Sequence, residues 1–185
     1  MFNNMDQSQL LNLSKKLLSL TITLEGKVHL WLTYKGLKPV STVQFKTSEN
    51  SIDQNNFTEW LEDAGLTYSP DLKSSEFVFV SKEIELAKRA AKLMWSENEE
   101  DLIEKGRIFG YPMAAVKGYA SKEKMSVITP KTFPMYWAAY VRYLVREENI
   151  DEDCETGKLW ADVVRSDNSE LASLFEEEMA RAEVR

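Results

Sequence analysis

The chain has 185 residues, 43% of them hydrophobic and 29% charged, a globular composition that excludes a disordered chain. Its formal charge of −7, from 23 basic and 30 acidic residues, argues against an indiscriminate coat for nucleic acid or membrane. With a single histidine, His29, and a single cysteine, Cys154, the common zinc constellations cannot be assembled, and no cofactor is expected.

The opening stretch has no basic region ahead of its apolar residues, and Lys15 and Lys16 interrupt them, so neither a signal peptide nor a membrane span is expected and the address read is cytoplasmic. Over 6–20, Leu10, Leu11, Leu13, Leu17 and Leu18 recur at helical spacing, with Asp6 and Gln9 set as a capping box. Residues 20–36, LTITLEGKVHLWLTYKG, alternate twice around Glu25-Gly26 and predict a β-hairpin. His29 would then share a strand face with Trp31 and Thr33, a surface or interlayer position rather than that of a base. VSTVQFKT predicts a third strand. NFTEWLEDAG predicts a helix from Asn56 stopped by Gly65, with Glu59 as box partner, and EFVFVS a fourth strand ending at Ser81.

From Lys82 the period becomes helical. A first helix carries Ile84, Ala87, Ala91 and Met94 on one face, and Ser96 with Glu99 marks the start of a second that runs to Phe109. Another starts at Pro112, one near Phe133 carries Trp137, Tyr140, Val141 and Leu144, and two follow through Leu159-Trp160-Val163 and Leu171-Leu174-Phe175, with Asp167 and Glu170 opening the last. The expected fold is α+β: an antiparallel sheet of about four strands with flanking helices in 1–81, packed with a helical bundle in 82–185 as one compact unit.

Charge is uneven. Residues 105–131 hold Lys105, Arg107, Lys117, Lys122, Lys124 and Lys131 against Glu123 alone, whereas acids dominate from Glu147 to Glu178. Cys154 lies among those acids, which disfavour a thiolate, so it reads as chemically quiet. Within the basic stretch, Gly110 follows a helical run where a left-handed residue closes the helix, and Tyr111-Pro112 starts the next one, specifying a tight helix-to-helix corner.

That corner has two functional readings. As a DNA-binding helix-turn-helix over 97–120 it has suitable small and apolar positions, but Lys105 occupies a place normally apolar. Its second helix also offers only Lys117, with no Arg, Asn or Gln to read bases. As a pocket for a small anionic, phosphate-bearing ligand it would use Arg107, Gly110, Tyr111 and Lys117 with a stripe of Tyr136, Tyr140 and Tyr143 beside Arg142 and Arg146. A mixed Tyr/Arg surface equally suits a protein partner.

The string Gly106-Arg107-x-x-Gly110-Tyr111-Pro112, preceded by FVFVSKEIELAKRAAKL, resembles a pattern of prokaryotic proteins of unknown function, domain-of-unknown-function family 483, over about residues 77–120. That family often has a Cys pair after the proline, where this chain has Met113, Ala114 and Ala115, so any redox or metal work of such a pair is absent here. The resemblance implies a recurrent structural corner and supplies no mechanism. No phosphate loop, nucleophile elbow or metal set is present in the sequence. The leading reading is therefore a non-enzymatic binding or protein-interaction module, with DNA binding and action on a small anionic ligand as alternatives and no membrane partner.

Overall fold

A computed structural model describes residues 6–45, 51–71, 73 and 77–182. The fold is α+β. Helix α1 (Gln7–Ser19) opens on the expected capping box, Asp6 accepting from the Gln9 backbone while Gln9 reaches back. Helix α2 (Leu24–Tyr34) stands where the hairpin was expected, and this is the largest correction. Thr23 caps it by accepting from the Gly26 N–H at 3.1 Å. Lys27, Val28, Leu30, Trp31, Leu32 and Thr33 are all buried. A helix covered on nearly every side shows no polar stripe at period 3.6, so its apolar residues mimic strand alternation.

Strand β1 (Val40–Gln44) follows; the 46–47 end of the expected strand lies outside the described residues. Helix α3 (Ser51–Asp63) starts ahead of Asn56, which is therefore inside it rather than its cap, and Gly65 ends it at φ +65°. Strand β2 (Thr67–Pro70) was not expected, while β3 (Phe77–Ser81) was. The sheet has three strands in the order β1-β3-β2, antiparallel throughout, with Val40 and Thr67 both opposite Ser81.

Helices α4 (Ile84–Leu93), α5 (Glu99–Ile108) and α6 (Met113–Ala120) match the expected succession. The cap of α5 is Asn98 rather than Ser96; Ser96 instead donates to the Asp101 carboxylate at 2.6 Å. The helix expected from Phe133 is replaced by a 3₁₀ turn (Tyr136–Tyr140) between strands β4 (Met125–Val127) and β5 (Leu144–Arg146), which pair antiparallel. Pro134 denies Phe133 a helical backbone and so breaks the apparent register. The second half is thus not purely helical. Helices α7 (Ile150–Asp167) and α8 (Ser169–Ala182) close the fold, with Asn168 accepting from the Leu171 N–H at the start of α8 in place of Asp167.

One hydrophobic cluster runs from Leu13, Trp31 and Trp60 to Tyr140, Trp160 and Phe175, uniting residues from both halves of the chain. A second, around Val40, Phe79, Ala87, Ala91 and Phe109, packs the sheet on α4 and α5. Helices α5 and α6 pack tightly at Gly106, where an added Cβ would fall 2.6 Å from Val116 Cγ1. Gly106→Ala is expected to cost about 1–3 kcal/mol through overpacking. Combined with Val116→Ala in a double-mutant cycle read by urea unfolding, it should show a coupling of roughly 1 kcal/mol; strict additivity would contradict this close approach.

Candidate functional site

The α5–α6 corner closes as the sequence specifies. Gly110 has φ +73°, its N–H bonds the Arg107 carbonyl and the Tyr111 N–H bonds the Gly106 carbonyl, the paired bonds that end a helix on a left-handed residue. A side chain at Gly110 would also meet Pro39 Cδ at 3.0 Å and the Leu37 carbonyl at 3.4 Å. The corner therefore lies directly on the segment 37–39 that links α2 to β1. That segment is itself anchored, the Leu37 and Lys38 N–H groups both donating to the Leu32 carbonyl.

This contact positions Lys38. Its side chain is 2% exposed, and Nζ donates to the Phe109 carbonyl at the end of α5, at 2.9 Å. A cation at a helix C-terminus is favoured by the exposed carbonyls there. Nζ also lies 4.2 Å from the Trp160 ring centroid and 4.9 Å from that of Tyr111, and no carboxylate pairs with it among the described residues. Burial lowers the Lys38 pKa to about 7, with Glu25 pulling it the other way.

Two adjoining cavities flank the corner, and Thr42, Met94, Phe109 and Tyr111 belong to the walls of both. The larger, about 330 Å³, is mostly apolar, with Leu102, Ala115, Val116, Tyr143 and Leu144 among its walls and Lys105 as its charged residue. Lys105 Nζ donates to the Met94 and Ser96 carbonyls, both at 3.3 Å, and burial lowers its pKa. The smaller, about 220 Å³, is the more polar of the two, with Thr23, Glu25, His29, Lys38 and Gln44 among its walls.

In the polar cavity the His29 ring and the Tyr111 hydroxyl make no hydrogen bond among the described residues. Burial, then the charges of Lys38 and Arg142, hold His29 well below the usual 6.5, so it is neutral at physiological pH. Burial first, and Glu25 second, push the Tyr111 hydroxyl up to about 12. Glu25 is the one carboxylate among the described lining residues, and it is bound to Arg142 Nε at 3.0 Å. Among the described residues the lining thus presents two lysines without acid partners and one acid that is already paired.

The residues expected from the sequence divide. Gly110 forms the corner, Tyr111 stands between the cavities, and Arg142 holds Glu25. Arg107 and Lys117 are exposed and line neither cavity, because successive positions on α5 and α6 turn them outward. The tyrosine stripe is not a stripe, since its residues lie on a 3₁₀ turn and beyond it. Tyr136 donates to Asp162 at 2.6 Å, and the buried Tyr140 donates to Glu176 at 3.1 Å, both toward α7 and α8; Tyr143 alone of the three reaches the cavity. His29 is a half-buried cavity residue on α2 rather than part of a strand. Cys154 is buried, and burial first, with Lys158 opposing and the nearby acids adding less, raises its thiol to about 11; the main cause is burial rather than the acidic surroundings read from the sequence.

Comparison with protein-family models, with curated proteins and with solved structures finds no match for the chain. Among the described residues no helix is long and apolar enough to cross a membrane, and no cluster of metal-binding side chains is present.

Lys38 makes stability depend on pH in a definite direction. Its folded value of about 7 lies below the ordinary lysine value of 10.5, so between these the unfolded chain binds a proton that the folded chain has released. Stability therefore rises with pH across this window, by up to about 1.4 kcal/mol per pH unit. The other titratable or charged groups around it are Glu25, His29, Arg142 and Tyr111; His29 contributes only below 6.5 and Tyr111 only above 10. Thermal unfolding of the wild type should give a melting temperature that climbs from pH 7 to pH 9, and Lys38→Met should flatten that climb. An equal climb in both proteins would contradict the assignment.

Proposed function

We propose that the protein binds a small amphipathic anion at the α5–α6 corner, its apolar body in the larger cavity and its acidic group toward the lysines. The observation that carries this reading is the charge balance of the lining: among the described residues Lys38 and Lys105 have only backbone carbonyls as acceptors, while Glu25 is taken by Arg142. A cavity of about 330 Å³ is at the small end of ligand pockets, enough for one or two fused rings or a short acyl chain. His29 and Tyr111 add polar groups beside Lys38 in the smaller cavity. This reading keeps the binding-module and small-anion expectations and moves the site from Arg107 and Lys117 to Lys38, Lys105, His29 and Tyr111.

Fluorescence titration with anilinonaphthalene sulfonate, an anionic probe with a phenyl group on its two fused rings, tests it. Saturable binding at one probe per chain is expected. Leu102→Trp, which fills the larger cavity, and Lys105→Gln, which removes a cation, should each weaken it by about tenfold or more, provided circular dichroism shows the fold intact. The uncharged phenylnaphthylamine should bind more weakly than the sulfonate. Affinity unchanged in both variants, or no preference for the anion, overturns the reading.

A further inference from the structure

We infer that Lys38 captures carbonyl-bearing ligands covalently, its amine condensing with an aldehyde or ketone in the polar cavity to form an imine; this rests on the binding reading above. An amine that does this must be free of a carboxylate partner, seated against a cavity large enough for the carbonyl carbon, and accompanied by groups that move protons. Lys38 meets the first condition, since its one hydrogen bond among the described residues goes to the Phe109 carbonyl, an acceptor that the neutral amine also satisfies. It meets the second as part of the wall of the 220 Å³ cavity that adjoins the apolar one. It meets the third because His29 and Tyr111, whose side chains make no hydrogen bond among the described residues, line the same cavity. Burial keeps a large share of the amine neutral near pH 7, the form with an available lone pair.

The chemistry balances without a further reactant. The nitrogen lone pair forms a C–N bond as the C=O electron pair moves onto oxygen; one proton passes from nitrogen to that oxygen, giving a carbinolamine. The second nitrogen proton and the hydroxyl then leave as water, and C=N forms. Neutral His29 can accept the proton that nitrogen loses, and the Tyr111 hydroxyl can donate toward the carbonyl oxygen as it becomes negative. The cationic Lys105 would draw a ligand whose far end is acidic, which makes an anionic aldehyde or keto acid the favoured class.

Carboxybenzaldehyde, an anionic aromatic aldehyde, is the probe. Incubation at pH 7.5 with cyanoborohydride, followed by tryptic mass mapping, should place the reduced adduct on Lys38 at least about tenfold faster than on exposed Lys117. Excess anilinonaphthalene sulfonate should protect Lys38, and Lys38→Arg should leave only slow labelling of surface lysines. Labelling of Lys117 and other surface lysines with Lys38 unmodified, while anilinonaphthalene sulfonate still binds at one per chain, overturns the imine and leaves the binding reading standing. Loss of both signals in the wild type overturns both.

Discussion

Burying an amine without an acid partner is costly, and the fold around Lys38 is arranged to bear that cost. The Phe109 carbonyl supplies one hydrogen bond, and the faces of Trp160 and Tyr111 supply electrostatic attraction for the charged form. Hydrogen bonds that involve a charged group contribute about 1.5–3 kcal/mol, and cation–π contacts about 0.5–2 kcal/mol, enough to offset part of the desolvation penalty and not all of it. The remainder appears as a lowered proton affinity. The same contact is a structural tie: it joins the segment between α2 and β1 to the end of α5, elements more than seventy positions apart in the chain, at a separation of 71.

The tie lies on an aromatic row. Phe79 of β3, Phe109, Tyr111, Tyr143 and Trp160 of α7 follow one another with centroid spacings of 6.4, 6.1, 5.3 and 6.0 Å. Such pairs add about 0.5–1.5 kcal/mol each beyond their buried area, so the row links the sheet to the last helices with Lys38 near its centre. Gly110 makes the geometry accessible, because a side chain there would push the corner off Pro39 and carry the Phe109 carbonyl away from the amine. Lys105 repeats the device one helix earlier, its amine on the Met94 and Ser96 carbonyls past the end of α4. Two helix ends are thus closed by lysines that also line cavities, so fold stability and the proposed ligand binding draw on the same side chains.

Much of the architecture was legible in local pattern. Capping residues, helical period and the Gly110-Tyr111-Pro112 punctuation located α1, α4, α5, α6 and the corner, because those signals act within a few residues. Helix α2 was misread because burial on almost every side erased its amphipathic stripe, and the 136–146 region because apolar spacing alone did not reveal the breaks that Pro134 and the β4–β5 pairing impose. For the site, Tyr111 was readable through its place in the corner. Lys38 and His29 were not, since their meeting depends on the packing of α2 and β1 against α5. Lys105 did leave a trace, a charge where the helical pattern asks for an apolar residue, and the lone Lys38 within the apolar LKPV stretch is a sign of the same kind.

The most direct test is the proton affinity of one nitrogen. Nuclear magnetic resonance of the chain carrying isotope-labelled lysine, with the Lys38 signal assigned by its absence in Lys38→Arg, should show that amine titrating with a midpoint near 7. A Lys38 midpoint at the ordinary lysine value near 10.5 would mean that the amine is either solvated or paired with an acid, and would contradict the account at its base.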